Sequence, residues 1–209
     1  MDPRRTLTAF FALVCNALFP PSEDEKRVRT LTTERLHALL APQQHRNHIE
    51  TLFRYREPDI RALLWQTKYK NDTHAAELLG TILKEVIFTP LHTPHLLIPI
   101  PLSAKRYRER GFNQVTRIAT CAIEGLPSLE LCEHVLVRTK HRTPQTRLSH
   151  TERRGNLDNV FKVTDPAQIK GKNVILLDDI TTTGTTLTKG RRELLKAGAR
   201  TVYCIALAH

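Results

Sequence analysis

The stretch VILLDDITTTGTTL, residues 174–187, sets four apolar residues against two adjacent aspartates, followed by five threonines around one glycine. An apolar run, an acid pair and a Gly/Thr turn read as a strand opening into a helix. Ligands of open α/β sheets bind at that edge. A helix N-terminus supplies unpaired N–H groups and a partial positive charge, which suit phosphate. Gly184 lets the backbone turn tightly and come close to a ligand. Hydroxyls add donors without adding charge, so Thr181, Thr182, Thr183, Gly184, Thr185 and Thr186 form a candidate cradle for one phosphate monoester. A carboxylate cannot take phosphate directly, but it accepts hydrogen bonds from hydroxyls or holds Mg²⁺ through water. Asp178 and Asp179 therefore suit the vicinal hydroxyls of a ribose whose 5-phosphate lies among the threonines. The P-loop and GxGxxG patterns are absent. The competing reading is a threonine-rich turn whose acids merely cap it.

Positioning these residues requires a sheet. Apolar runs at residues 96–101, 174–177 and 201–208 read as buried strands, with shorter strands expected at 52–55, 135–138 and 161–163. Helical patterns occupy residues 59–69, with Asp59 as N-cap, then 74–87, a segment beginning near Asn113, and 186–197, which ends at Gly198. Trp65 is expected to pack in the core. Strands alternating with helices imply an α/β fold with a mostly parallel central sheet flanked by helices. Residues 1–50 form a helical appendage, and residues 51–209 form the main domain. In the appendage Leu7, Phe10, Phe11, Val14 and Leu18 share one helical face before Pro20 and Pro21. A docked amphipathic helix is preferred there over a signal peptide, because no small-residue cleavage site follows.

The 209-residue chain has a net charge of +11, of which +9 lies in two stretches, residues 103–117 and 138–154. That concentration points to a polyanionic partner, with a solvated basic face as the plain alternative. The four cysteines are far apart and contain no CxxC, which fits a reducing cytoplasm better than a zinc site or a disulfide scaffold. No segment has the apolar length of a membrane helix. The histidines form no ligand constellation, so no direct metal ligation and no zinc are expected.

The acid–threonine stretch resembles the motif that binds 5-phosphoribosyl-1-pyrophosphate (PRPP) in type I phosphoribosyltransferases. Three further segments are similar to ComF-type competence proteins of that family: LIPIPLSAKRYRERGFNQ (97–114), RTKHRTPQTRLSHTERRGNLDNVF (138–161), and YREPDIRALLWQTKYKND (55–72), whose helix ends in a Lys-Tyr pair. The resemblance implies a type I phosphoribosyltransferase-like fold with a flexible hood loop. It puts Asp178 and Asp179 in the catalytic position against the ribose and the threonine loop on the 5-phosphate. Lys105, Arg106, Arg110 and Gly111 fall on the pyrophosphate, with Mg²⁺ arriving with PRPP. Arg142, Gln145, Arg153, Arg154 and Asn156 fall in the hood loop. It further implies a cytoplasmic role in DNA uptake, with single-stranded DNA and a competence helicase as partners and Tyr107 and Phe112 as stacking residues. The alternative is phosphoribosyl transfer from PRPP to a base or an amine. One departure is plain: many ComF-type proteins carry a zinc ribbon after an LFP-like helix, whereas Ser22, Glu23, Asp24 and Glu25 follow here.

Overall fold

The computed structural model describes residues 22–41, 48–88, 93–139 and 160–209. Five strands make one sheet: β1 (Ile49–Phe53), β2 (His95–Pro99), β3 (Leu129–Leu131), β6 (Asn173–Ile180) and β7 (Thr201–Ala208). Their order is β1-β7-β6-β2-β3, and every pairing is parallel. β4 (Leu136–Arg138) and β5 (Phe161–Val163) form a separate antiparallel pair.

Alternation along the strands divides the core in two. In β6, Ile175 and Leu177 join one apolar cluster, and Val174 and Leu176 join the other. In β7, Ile205 and Leu207 face the first, while Val202, Cys204 and Ala206 face the second. The sheet is therefore covered on both faces, as its nearly continuous apolar strands require. The first face carries α3 (Pro58–Trp65), α4 (Thr73–Phe88) and α6 (Gln114–Ile123); the second carries α7 (Pro166–Ile169), α8 (Thr185–Lys196) and the β4/β5 pair. α4 and α6 pack closely at Gly80, where a Cβ would lie 2.5 Å from the Cys121 Cβ.

The connections create a crevice. β2 leads through α6 on one face to β3, and β6 leads through α8 on the other face to β7. The chain thus departs in opposite directions from two neighbouring strands. The space beyond the C-terminal ends of β2 and β6 is a topological switch point, where open α/β sheets take their ligands.

Local chemistry shifts several boundaries. The strand expected at 52–55 lies at Ile49–Phe53, in register with β7 from Cys204 to Ala208. The basic stretch that follows β2 opens as a helix not expected from the sequence, α5 (Ala104–Arg110), capped by the Ser103 hydroxyl accepting from the Arg106 N–H and closed by Gly111 at φ +78°. None of its residues is buried, so it has no apolar stripe to betray it. α3 starts at Glu57–Pro58 rather than at Asp59, and it stops at Trp65. A π turn (Gln66–Lys70) follows, ended by Asn71 in the left-handed region. Trp65 is not in the core: it is 40% exposed and packs at a tilt on Tyr69, with ring centroids 5.4 Å apart. The expected amphipathic helix before Pro20 and most of the basic segment between β4 and β5 lie outside the described residues. Among the described residues no helix is long and apolar enough to cross a membrane.

α1 (Glu23–Thr30) and α2 (Thr33–Leu39) bury Val28, Leu31 and Leu36 in the first-face core. Asp59 ties them to α3 by accepting from Arg27 Nη1 at 2.9 Å and Arg35 Nε at 3.1 Å. Burial alone would raise the Asp59 carboxyl, but the two guanidiniums outweigh it and hold the group below its ordinary value of 3.8. A lowered native value means this stabilisation is present above the ordinary aspartate range and is lost as pH falls through the native one. Asp59→Asn is expected to cost about 1–2 kcal/mol at neutral pH, discounted because both arginines are half exposed. Urea unfolding should show that difference at neutral pH and a shrinking one as pH falls below the ordinary aspartate value.

Candidate functional site

The β6 alternation continues into its last residues. Asp178 falls on the second face with Leu176, and Asp179 on the first with Leu177. The strand runs through both acids to Ile180, past the expected end at Leu177, because β7 continues to pair with it at Asp178–Ala206 and Ile180–Ala208. On the other side β2 pairs only as far as Pro99–Leu177. The acids therefore stand at the switch point, backed by β7 alone, yet only 9% and 8% exposed.

Two like-charged neighbours can share this position because their surroundings differ. Asp179 Oδ1 accepts from the Ile180 N–H at 2.8 Å, and its Oδ2 accepts from Gln114 Nε2 at 2.7 Å. Lys68 Nζ lies 3.6 Å from the same oxygen. Asp178 Oδ1 accepts from the Asp179 N–H at 2.9 Å. Burial, and then the neighbouring Asp179 charge, push the Asp178 carboxyl well above its ordinary value, with Arg138 opposing. Both causes favour the uncharged form of Asp178 over a second negative charge beside Asp179.

After Ile180 the chain turns into α8. The Thr181 hydroxyl accepts from the Gly184 N–H at 3.1 Å, so it shapes the turn from inside. Gly184 caps α8 at φ +74°, and a Cβ there would lie 2.5 Å from Ile49 Cδ1. Thr182, Thr183 and Thr185 are exposed, and the Thr183 and Thr185 hydroxyls are 2.8 Å apart. The first turn of α8 then presents its N–H groups outward.

Beside this turn is a cavity of about 750 Å³ lined by Ser103, Lys105, Arg106 and Arg108 of the α5 segment, Arg138 and Thr139 at the end of β4, and Thr185, Thr186 and Lys189 of α8. Among the described residues its walls carry five cations and no carboxylate. Arg138 stacks over Phe161 with its guanidinium carbon 5.3 Å from the ring centre. Burial, and then the charge of Arg106, pull Arg138 below its ordinary value, with Asp178 opposing. Such a cluster repels itself and is complementary to an anion.

Of the expected site residues, Lys105, Arg106, Thr185 and Thr186 line this cavity; Asp178 is within electrostatic reach of its Arg138, while Asp179, Thr181, Thr182, Thr183 and Gly184 stand beside it without lining it. Arg110 and Gly111 do not line the cavity. Arg110 donates to Gln114 Oε1 at 3.0 Å on the acid-pair side, and the Gly111 N–H closes α5 on the Tyr107 carbonyl at 2.7 Å. Arg142, Gln145, Arg153, Arg154 and Asn156 lie outside the described residues. Sequence reasoning did not select Gln114, Lys68, Arg138 or Lys189. Lys189 was accessible as the residue four after Thr185, on the same helical face. Gln114 and Lys68 lie in the family-like segments 97–114 and 55–72, the latter in the Lys-Tyr pair, but nothing in the sequence tied either to Asp179.

The chain belongs to the Phosphoribosyl transferase domain family, which matches residues 102–209, just over half its length. Within that family it is of the ComF type. It is 32% identical over 155 residues to the DNA utilization protein YhgH of Escherichia coli O157:H7, covering 71% of this chain and 67% of that protein. It is 31% identical over 160 residues to Competence protein F of Haemophilus influenzae, covering 74% and 69%. Over 103 residues it is 40% identical to Competence protein ComFC of Bacillus subtilis, covering 49% and 39%. The parallel sheet with helices on both faces is the type I phosphoribosyltransferase-like fold expected from the resemblance.

Asp178 has a stability consequence. Its carboxyl binds a proton more tightly in the native state, so stability is highest below the ordinary aspartate value of 3.8 and falls as pH rises towards the raised native value. Asp178→Asn keeps an oxygen for the Asp179 N–H and removes that loss. The variant is expected to melt above the wild type at neutral pH, by about 2–4 °C per kcal/mol gained in a chain of this size, and the gap should close towards pH 4. Thermal melts across that range check it, and a wild type as stable as the variant at pH 8 would show the carboxyl to be ionised and compensated.

Proposed function

We propose that this chain binds PRPP, or a related ribose 5-phosphate compound, at the switch point. The observation that carries the reading is a threonine turn that starts beside two buried acids and ends at Thr185 and Thr186 in the wall of a cationic cavity. Asp178 and Asp179 accept the ribose hydroxyls. The exposed threonines and the first turn of α8 take the 5-phosphate. Lys105 and Arg106, joined by Arg138 and Lys189, take the pyrophosphate, whose charge offsets their mutual repulsion. The cavity volume of about 750 Å³ is ample for such a ligand. The acids suit water-mediated contact with a Mg²⁺ that arrives on the pyrophosphate, where the ion would neutralise leaving-group charge. Calorimetry of Mg·PRPP should show binding to the wild type and a loss of at least about tenfold in Asp179→Asn, which gives up a charged acceptor. Absence of heat with the wild type would end the proposal.

A second reading, DNA handling, rests on α5. Lys105, Arg106, Tyr107 and Arg108 are all exposed on one short helix, with Tyr107 at 54%. Cations interleaved with a free aromatic ring suit a single-stranded backbone and its bases, and the relatives' names point the same way. In this reading a competence helicase is the partner, and the protein works in the cytoplasm. Gel shifts with single-stranded DNA should weaken steeply with salt, and replacing Arg106 and Arg108 together should flatten that slope by about two phosphate contacts. Transfer of phosphoribose to a base or an amine remains the enzymatic form of the first reading, and it would be registered as pyrophosphate release.

A further inference from the structure

Gln114 is 3% exposed and sits at the first position of α6. That position is pinned to the end of β2: Asn113 caps α6 by accepting from the Val115 N–H, and its Nδ2 donates to the Ile100 carbonyl at 3.0 Å. A glutamine amide can ordinarily turn over and exchange its donor and acceptor ends. Here it cannot. Arg110 Nη1 has only hydrogens to offer, so Gln114 Oε1 must face it and Nε2 must face Asp179. Arg110 in turn lies over the Tyr69 ring, with its guanidinium carbon 5.2 Å from the ring centre. The π turn that carries Tyr69 also carries Lys68, which sets its ammonium beside the same Asp179 oxygen.

We infer that Gln114 is a positioning residue for Asp179, its amide orientation locked by a relay that runs from the Tyr69 ring through the Arg110 guanidinium. With Oδ1 taken by the Ile180 N–H, the relay holds Oδ2 and so fixes the rotation of the carboxylate at the crevice. Arg110 then acts on the sugar end of a ligand through Gln114, and not on the pyrophosphate by contact. Groups reach this carboxylate from three elements: Gln114 from α6, backed by Arg110 of α5, Lys68 from the π turn, and the Ile180 N–H of β6. The inference rests on the ribose reading of the acid pair.

Ribose 5-phosphate lacks the pyrophosphate and so separates a relay from a direct contact. Ribose 5-phosphate and Mg·PRPP are titrated in parallel into the wild type, Gln114→Met, Arg110→Met, Tyr69→Leu and Tyr69→Phe. Gln114→Met is expected to weaken both ligands by about tenfold or more, the loss of one hydrogen bond to a charged group. Arg110→Met and Tyr69→Leu should weaken both by smaller factors that are alike for the two ligands. Tyr69→Phe, which keeps the ring face, should restore what Tyr69→Leu loses. Adding Arg110→Met to Gln114→Met should cost little more, because the two act in series. If Gln114→Met does not fold, Gln114→Glu replaces it, keeping the size while setting an acceptor against Asp179. Unchanged affinity in the Gln114 variant would overturn the positioning role. Loss confined to Mg·PRPP in Arg110→Met would overturn the relay and restore a pyrophosphate contact. A wild type that binds neither ligand would overturn the ribose reading itself, a result separate from either.

Discussion

Two adjacent carboxylates, nearly buried at the end of one strand, are the constraint around which the crevice is organised. Strand geometry sends neighbouring side chains to opposite faces. Asp178 and Asp179 therefore cannot share a partner, and each face must meet the cost of its own acid. The faces do so differently. The α6 face supplies donors: the Gln114 amide and the Lys68 ammonium. The α8 face supplies Arg138 at longer range, and there burial and the Asp179 charge raise the Asp178 carboxyl. The asymmetry lies in the partners: two side-chain donors meet Asp179, and one guanidinium at longer range faces Asp178.

The early end of β2 completes the arrangement. β2 stops pairing with β6 at Leu177, one residue before the acids. Had it run two residues further, its backbone would cover the acids and close the crevice. Ile100 makes the last bond to β6, its N–H donating to the Leu177 carbonyl at 2.8 Å, before Pro101 and the turn into α5. The chain then turns at once into α5, whose cations enter the cavity, while the Ile100 carbonyl receives Asn113 and fixes where α6 begins. One proline-rich strand end thus places both the basic wall and the glutamine that orients the acid.

Much of this was legible in the sequence. The last strand was read residue for residue at 201–208, and α8 was placed to within a residue, because apolar alternation and a C-terminal glycine are strong local signals. The acid–threonine motif gave the crevice its position. What escaped has physical reasons. α5 is a helix with no buried face, so periodicity had nothing to register. β3 has only three residues, too few for alternation to show. Trp65 lies in an apolar run, yet the helix ends there and a π turn rotates the following residues, leaving the ring outside. Gln114 and Lys68 meet Asp179 across 65 and more than 100 residues of chain, a proximity that only the fold creates.

The π turn is the clearest case of stability given up for placement. Gln66 at its start is fully buried, and neither end of its side-chain amide has a hydrogen-bond partner among the described residues. Leaving a buried amide unpaired costs on the order of 1–3 kcal/mol. An unbroken helix would also have spared the left-handed residue at Asn71. Such turns inside helices recur at functional sites because they re-aim side chains that regular geometry would direct elsewhere. Here the re-aimed residues are consecutive: Lys68 reaches Asp179, and Tyr69 reaches the arginine that governs Gln114. A segment selected for stability alone would lose the π turn. The unpaired Gln66 amide and the left-handed Asn71 are the local cost of a turn that puts Lys68 beside Asp179 and Tyr69 under Arg110.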